Sequence, residues 1–150
     1  MPTQFRMDDC ESGLIALLKA SLPEAVQVSA LSSKDFDEQG TLLAVPPAAL
    51  VMFDSTQDQS RDITRKTYQT YQDWVIFVGS EDLRDVSTER GGAQDLVQKV
   101  RAALAGQRIP LDGDSSFSGP IELAGTTAEQ FGKDGTWYSV RVRVEAIAQF

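Results

Sequence analysis

Few residues in this chain are of a type that makes or breaks bonds, and none of them is histidine. That absence excludes Ser-His-Asp and Cys-His catalysis, imidazole metal sites and histidine proton shuttles. The single cysteine cannot form an intrachain disulfide, and with no histidine beside it a closed structural zinc site is excluded as well. Carboxylates, lysines, tyrosines and one thiol remain. Cys10 falls in the first turn of a helical pattern, where the helix dipole lowers a thiol pKa. It also lies on an apolar stripe with Leu14 and Leu17 and has no base to activate it. A small buried core residue is therefore the expectation.

The acidic clusters come next. Asp112-Gly113-Asp114-Ser115-Ser116 opens like a calcium loop, with oxygens at loop positions one, three and five. The pattern then fails: position six is Phe117 instead of glycine, position twelve is Leu123, and Glu122 is one residue out of register. Asp112 and Asp114 are thus weak metal candidates in a solvated turn, and no cofactor is implied. Asp35-Phe36-Asp37-Glu38 and Glu81-Asp82 offer paired carboxylates of the kind a glycosidase or a metal-dependent phosphotransferase uses. No GxGxxG or GxxxxGK[ST] cradle accompanies them, so they read as solvated surface. Gly91-Gly92 precedes a helical pattern and suggests an anion site at its N-terminus, but Asp95 would repel the anion.

One cluster is left. Arg61, Arg65 and Lys66 interleave with Asp58 and Asp62 in a segment, Asp54 to Thr67, whose sole large apolar residue is Ile63. Alternating signs suit a complementary protein surface better than nucleic acid. With Gln57, these residues form the candidate subunit or partner interface.

The chain as a whole agrees with that emphasis. It has 150 residues, 14 basic and 22 acidic, for a formal charge of −8, and 41% of its residues are hydrophobic. That length suits one domain with a core of its own, so residues 1–150 are read as a single unit. An acidic balance opposes a protein whose main task is gripping phosphates. No stretch approaches the roughly 18 consecutive apolar residues of a membrane span. The start, Met1-Pro2-Thr3-Gln4-Phe5-Arg6, lacks the apolar core of a signal peptide, so a soluble, reducing, cytoplasmic setting is expected. An assembly or binding module is favoured over an enzyme.

The elements that must position these residues follow from periodicity. Cys10, Leu14, Leu17, Leu18 and Leu22 recur at helical spacing, predicting a helix from Asp8 to Ser21 that Pro23 stops. Asp8 and Glu11 are spaced for a capping box. Val26 and Val28 alternate with polar residues, which predicts a strand within Glu24 to Leu31. Thr41 to Val45 reads as a short strand, and the apolar run Ala48 to Phe53 as a strand covered on both faces. From Thr67 to Val78, Tyr68, Thr70, Gln72, Trp74, Ile76 and Val78 share one face. With the run before it, this predicts a long hairpin whose polar tip, around Gln57 to Thr64, protrudes. A second helix is expected from Ala93 to Ala105, capped by Gly106. Ser118 to Ala124 suggests a modest strand. Trp137 to Ile147 is the clearest one, with Tyr138, Val140, Val142, Val144 and Ala146 on one face and Arg141, Arg143 and Glu145 on the other. The fold class is α+β: a mainly antiparallel sheet packed against two amphipathic helices, with a polar outer face and a protruding β-hairpin arm.

The acidic helix Asp8 to Leu22 and the strand Trp74-Val75-Ile76-Phe77-Val78, with its charged connection to Gly91-Gly92-Ala93-Gln94-Asp95-Leu96-Val97, carry a resemblance. So do Ala103-Leu104-Ala105-Gly106 and the final strand Trp137-Tyr138-Ser139-Val140-Arg141-Val142. Together they resemble the tail terminator proteins of tailed bacteriophages, in particular the phage Mu-like type with a minor tail protein U-like fold. The resemblance implies a structural protein of a phage, prophage or tail-like particle. Such proteins form a hexameric ring that caps the tail tube, ends its growth and offers a docking surface to the head connector. Its partners would be other copies, the tail tube protein and the head connector, with DNA passing unbound, first in the host cytoplasm and then in the virion tail. Glu81, Asp82, Arg84 and Asp85 would then be candidates for the lumen, where acidic groups repel DNA. Two alternatives stay open: another head–tail connector, completion protein or tube subunit, and a small carboxylate-dependent metal hydrolase. The hydrolase requires Asp35, Asp37, Glu81 and Asp82 to converge.

Overall fold

A computed structural model describes residues 5–80, 86–111, 116–129 and 136–150. Helix α1 spans Met7–Ser21, one residue ahead of the expected start. Asp8 and Asp9 consequently lie inside the first turn, and no side chain caps the helix at Arg6. Asp8 pairs with Arg6 at 3.2 Å, and its charge suits the helix dipole without a capping box. Cys10, Leu14 and Leu18 are fully buried along one stripe.

After α1 come β1 (Gln27–Ala30), a 3-10 turn (Ser33–Asp35), β2 (Ala48–Ser60) and β3 (Thr67–Ser80). Helix α2 (Val86–Leu104) follows, then β4 (Pro110–Leu111), β5 (Ser116–Phe117), β6 (Glu122–Glu129) and β7 (Thr136–Gln149). Five strands form one sheet in the order β1-β2-β3-β7-β6, parallel between β1 and β2 and antiparallel elsewhere. Strands β4 and β5 pair separately as a small hairpin. The α+β class and the mainly antiparallel sheet are as the alternation predicts.

Both helices pack on one face of the sheet, where Val51, Trp74, Ile76, Val78, Val140, Val142 and Val144 meet the stripes of α1 and α2. Fully burying a side chain such as Leu14, Leu104 or Ile76 contributes about 1.5–3 kcal/mol, so this layer dominates stability. Trp74 is 1% exposed and meets Phe53 edge to face at 5.5 Å between ring centres. Its indole N–H donates to the Gln72 side chain at 3.0 Å, and the Gln72 amide donates in turn to the Phe5 carbonyl at 3.2 Å. The buried amide is thereby engaged at both ends.

Several boundaries differ from the sequence reading. Helix α2 begins at Val86, not Ala93, so Gly91 and Gly92 lie inside it and their N–H groups belong to the helix instead of an anion site. Two interior glycines cost about 1 kcal/mol each relative to alanine. Burial of Leu96, Val97, Val100 and Leu104 outweighs that cost. Gly106 does adopt a positive φ of 74°, and its N–H donates to the Ile121 carbonyl at 2.9 Å. Thr41 to Val45 is not a strand: Leu42 bridges Phe36 and plugs into the core alone. Strand β6 starts at Glu122 because Pro120 has no N–H to give a ladder and Ile121 is tied to the α2 exit through Gln107.

The outer face of the sheet is not uniformly polar. At its base, Leu42, Ala48, Leu50 and Trp137 form a second apolar cluster, with Phe36 and Phe77 packed against it. Trp137, which alternation places on the polar face, is only 1% exposed there because the segment between β1 and β2 folds back over it. Gly79 sits directly under this indole, where an added Cβ would lie 2.7 Å from ring carbons.

Candidate functional site

The hairpin between β2 and β3 continues in register to Ser60 opposite Tyr68, leaving residues 61–66 as its turn. The tip is therefore shorter than the expected Gln57 to Thr64. Strand β7 accompanies β3 to the same end, with Thr67 opposite Gln149, so the arm is a three-stranded blade. A bulge between Phe53 and Ser55 inserts Asp54 and reverses which residues of β2 face the helices. Beyond it, Thr56, Asp58 and Ser60 share the face of Gln72, Thr70 and Tyr68.

Asp62 builds the turn. Its carboxylate accepts from the Lys66 N–H at 3.0 Å, the Thr67 N–H at 3.3 Å and the Thr64 hydroxyl at 2.9 Å. Desolvation raises the pKa of this carboxyl, but the hydrogen bonds from Thr64, Thr67 and Lys66 together outweigh it and hold Asp62 below its ordinary range. Arg65 takes a left-handed backbone conformation at φ 57°, which closes the turn. Asp58 accepts from the Thr70 hydroxyl at 2.8 Å, and Arg61 bonds to the Gln69 side chain. Among the described residues no partner is recorded for the side chains of Arg65 and Lys66, and Ile63 between them and Arg61 is fully exposed. Of the six predicted interface residues, Asp62 and Asp58 thus hold the arm in shape. Arg65, Lys66 and Gln57 present outward, and Arg61 does both.

Below the turn, the outer face carries a ladder that links strands remote in sequence. Asp73 receives two hydrogen bonds from Arg143, at 2.9 and 3.2 Å, and Arg143 lies 5.3 Å from the Tyr71 ring centre. The hydrogen bonds and charge of Asp73 raise the Arg143 pKa further above its ordinary value. Asp54 pairs with Arg141 at 3.4 Å, and Gln69 donates to Glu145 at 3.0 Å. Sequence reasoning placed Arg141, Arg143 and Glu145 on this face but missed their partners. Alternation assigns a face and not a register. Beside the ladder, a cavity of about 440 Å³ opens between the β4–β5 hairpin and β7, edged by Arg61, Arg108, Glu145 and the exposed Phe117 and Ile147.

Cys10 is buried, and desolvation, with the charges of Asp9 and Glu11, pushes its thiol pKa well above the ordinary value. Asp35 accepts from the Ser32 N–H at 2.7 Å, and Asp37 from those of Gln39 and Thr41 at 2.9 and 2.8 Å, so both are spent on local turns. Glu81, Asp82, Arg84 and Asp85 lie outside the described residues, as do Asp112 and Asp114. Among the described residues, no group of three or more acidic or cysteine side chains is placed to hold a metal ion, and no helix is long and apolar enough to cross a membrane.

This arrangement defines a class: an α+β module whose polar side chains are joined in surface ladders and turns, ending in an ordered, exposed arm. The family described as Bacteriophage Mu, Gp37 matches residues 7–128, and the chain belongs to that family. It is a Mu-like phage protein of the structural or tail-related kind. No curated protein matches the sequence.

Proposed function

We propose that this protein is a tail terminator, a ring of identical copies that caps the tail tube, stops its polymerisation and gives the head connector a surface on which to dock. The observation that carries this reading is the arm. Its turn is fixed by three hydrogen bonds to the Asp62 carboxylate, yet every residue from Arg61 to Lys66 is exposed, and Ile63 is displayed among Arg61, Arg65 and Lys66. Ordering such a segment costs entropy that the turn's own burial does not offset, which fits a surface that another molecule covers. Membership of a Mu-like phage family supports the same reading.

In this reading Gln57, Asp58, Arg61, Arg65 and Lys66 meet a neighbour or the tube, and Asp62 shapes the turn that presents them. A charge of −8 per copy, multiplied around a ring, repels DNA that passes through it. Glu81, Asp82, Arg84 and Asp85 are assigned to that lumen. Assembly takes place in the host cytoplasm and leaves the protein in the virion tail. No catalytic step is assigned to it.

The test is to polymerise tail tube protein with and without this chain and measure tube length by electron microscopy, with light scattering on the isolated protein. Capped tubes that stop growing, each bearing a terminal ring, are expected. A chain that polymerises alone into long filaments is a tube subunit instead. One that neither self-associates nor alters tube growth ends the proposal.

A further inference from the structure

The sheet has two open edges, and they differ. Strand β1 covers β2 only from Ala48 to Val51, so beyond the bulge the outer side of β2 from Ser55 to Ser60 has no strand beside it among the described residues. At the opposite side of the sheet, β6 pairs among the described residues with β7 alone, leaving Gly125 to Glu129 open past its own bulge. Unpaired edges template further pairing, and proteins block them with proline, charges (lysine above all) or bulges. Neither lysine nor proline occurs in the Asp54–Ser60 stretch of β2 or in β6, and each bulge lies ahead of the open stretch and not within it.

We infer that these edges pair with each other between copies of the chain, the outer half of β2 on one copy adding to β6 of the next. The inference rests on the ring-forming reading above and deepens it. Three features favour a second copy as the occupant. First, β2 and β6 run in opposite directions within one sheet. A neighbour rotated about an axis oblique to the strands therefore still offers an antiparallel partner.

Second, among the registers, two residues apart, that keep helix-side residues on the helix side of the neighbour, one also opposes unlike charges. It sets Thr56 against Ala128, Gln57 against Thr127, Asp58 against Thr126 and Gln59 against Gly125. Past the β6 bulge, Arg61 then reaches the level of Glu122. No like charges face one another in it, and Arg61 and Glu122 are an opposite pair.

Third, the stagger closes. Asp58 lies level with Thr70 and Ala146, whereas Thr126 lies level with Val140, six residues along β7. At ~3.4 Å per residue that is roughly 20 Å, spread over four strand spacings of ~4.8 Å from β2 to the next β2. The strands would tilt by about 45° to the ring axis, at the upper end of what closed sheets adopt. A flat row of subunits would need no such offset.

The test uses the full chain as Gln57→Cys, Thr127→Cys and the double variant, both positions being exposed and Cys10 buried. Under mild oxidation, a mixture of the two single variants is expected to form a covalent dimer and nothing larger. The double variant alone should give a ladder that ends at one closed species. Absence of the mixed dimer, with the parent's circular dichroism and melting temperature retained, overturns the inference. A comparable dimer from either single variant alone does so too, because that marks a two-fold contact. Charge reversal reads the register independently: Arg61→Glu weakens self-association, and Glu122→Arg in the same chain restores it, failure to restore overturning the register. Tube capping is measured on the same samples under reducing conditions. Cross-linking without capping removes the terminator reading and leaves the edges paired, while capping without cross-linking does the reverse.

Discussion

Two halves of the same three strands have opposite characters. At the base, β2, β3 and β7 are covered on both faces, by α1 and α2 on one side and by the cluster around Leu42 and Trp137 on the other. Toward the tip, β2 is exposed from Thr56 onward, and the contacts there are mostly hydrogen bonds and ion pairs, with Tyr68 and Phe150 meeting edge to face at 6.0 Å between ring centres. The strands are continuous, so backbone pairing is equal in both halves. What differs is the apolar area removed from water. The base is where stability resides, and the outer half is held in shape by polar contacts that leave its edge free for other work.

That comparison breaks most readily at the base. Trp74→Ala removes a fully buried ring between α1 and Phe53 and is expected to cost about 3–5 kcal/mol, read as a large fall in melting temperature. Loss of less than a third of that would mean the base is not the stabilising half. Gly79→Ala forces a methyl into the Trp137 indole and should cost about 1–3 kcal/mol by overpacking. Denaturant melts with an unchanged slope would tie that loss to the native state.

The outer half should respond differently. Asp62→Asn is expected to loosen the turn, with faster amide exchange at Lys66 and Thr67, while the melting temperature hardly moves. Because Asp62 is held below the ordinary carboxylate range, its contribution is complete above the unfolded pKa. It is lost as pH falls through the lower folded pKa. The parent turn should therefore open on acidification, whereas the asparagine variant should show no such step when exchange is followed by NMR. The smallest effect is expected from Arg65→Ala with Lys66→Ala. Stability should stay within about 0.5 kcal/mol of the parent in thermal melts, while tube capping falls.

Much of this was legible before any coordinates. The stripe Cys10, Leu14, Leu18 fixed α1, and strict alternation from Tyr138 to Ala146 fixed both β7 and the face it buries. Other features were hidden because they depend on contacts distant in sequence. Gly91-Gly92 reads locally as the lead-in to a helix that starts at Ala93, yet α2 runs through both residues, where the packing of Leu96 and Val100 outweighs the glycine cost. Trp137 alternates onto the side of Arg141 and Arg143, and only the fold-back of Leu42 makes that side apolar at the base. In the sequence Asp62 reads as one charge among several on an arm. Its role as the hydrogen-bond hub of the turn needed the backbone geometry around Arg65.

The residue pattern alone determined which chemistries were closed to the chain, its two amphipathic helices, its long polar hairpin and its α+β class, since composition and period are local properties. Which strands became neighbours, that Asp73 would meet Arg143, and that β2 and β6 would end as two unlike open edges were decided only by tertiary structure. The reason is physical: strand pairing and register are set by long-range burial, which selects one sheet order from several that the same alternation permits.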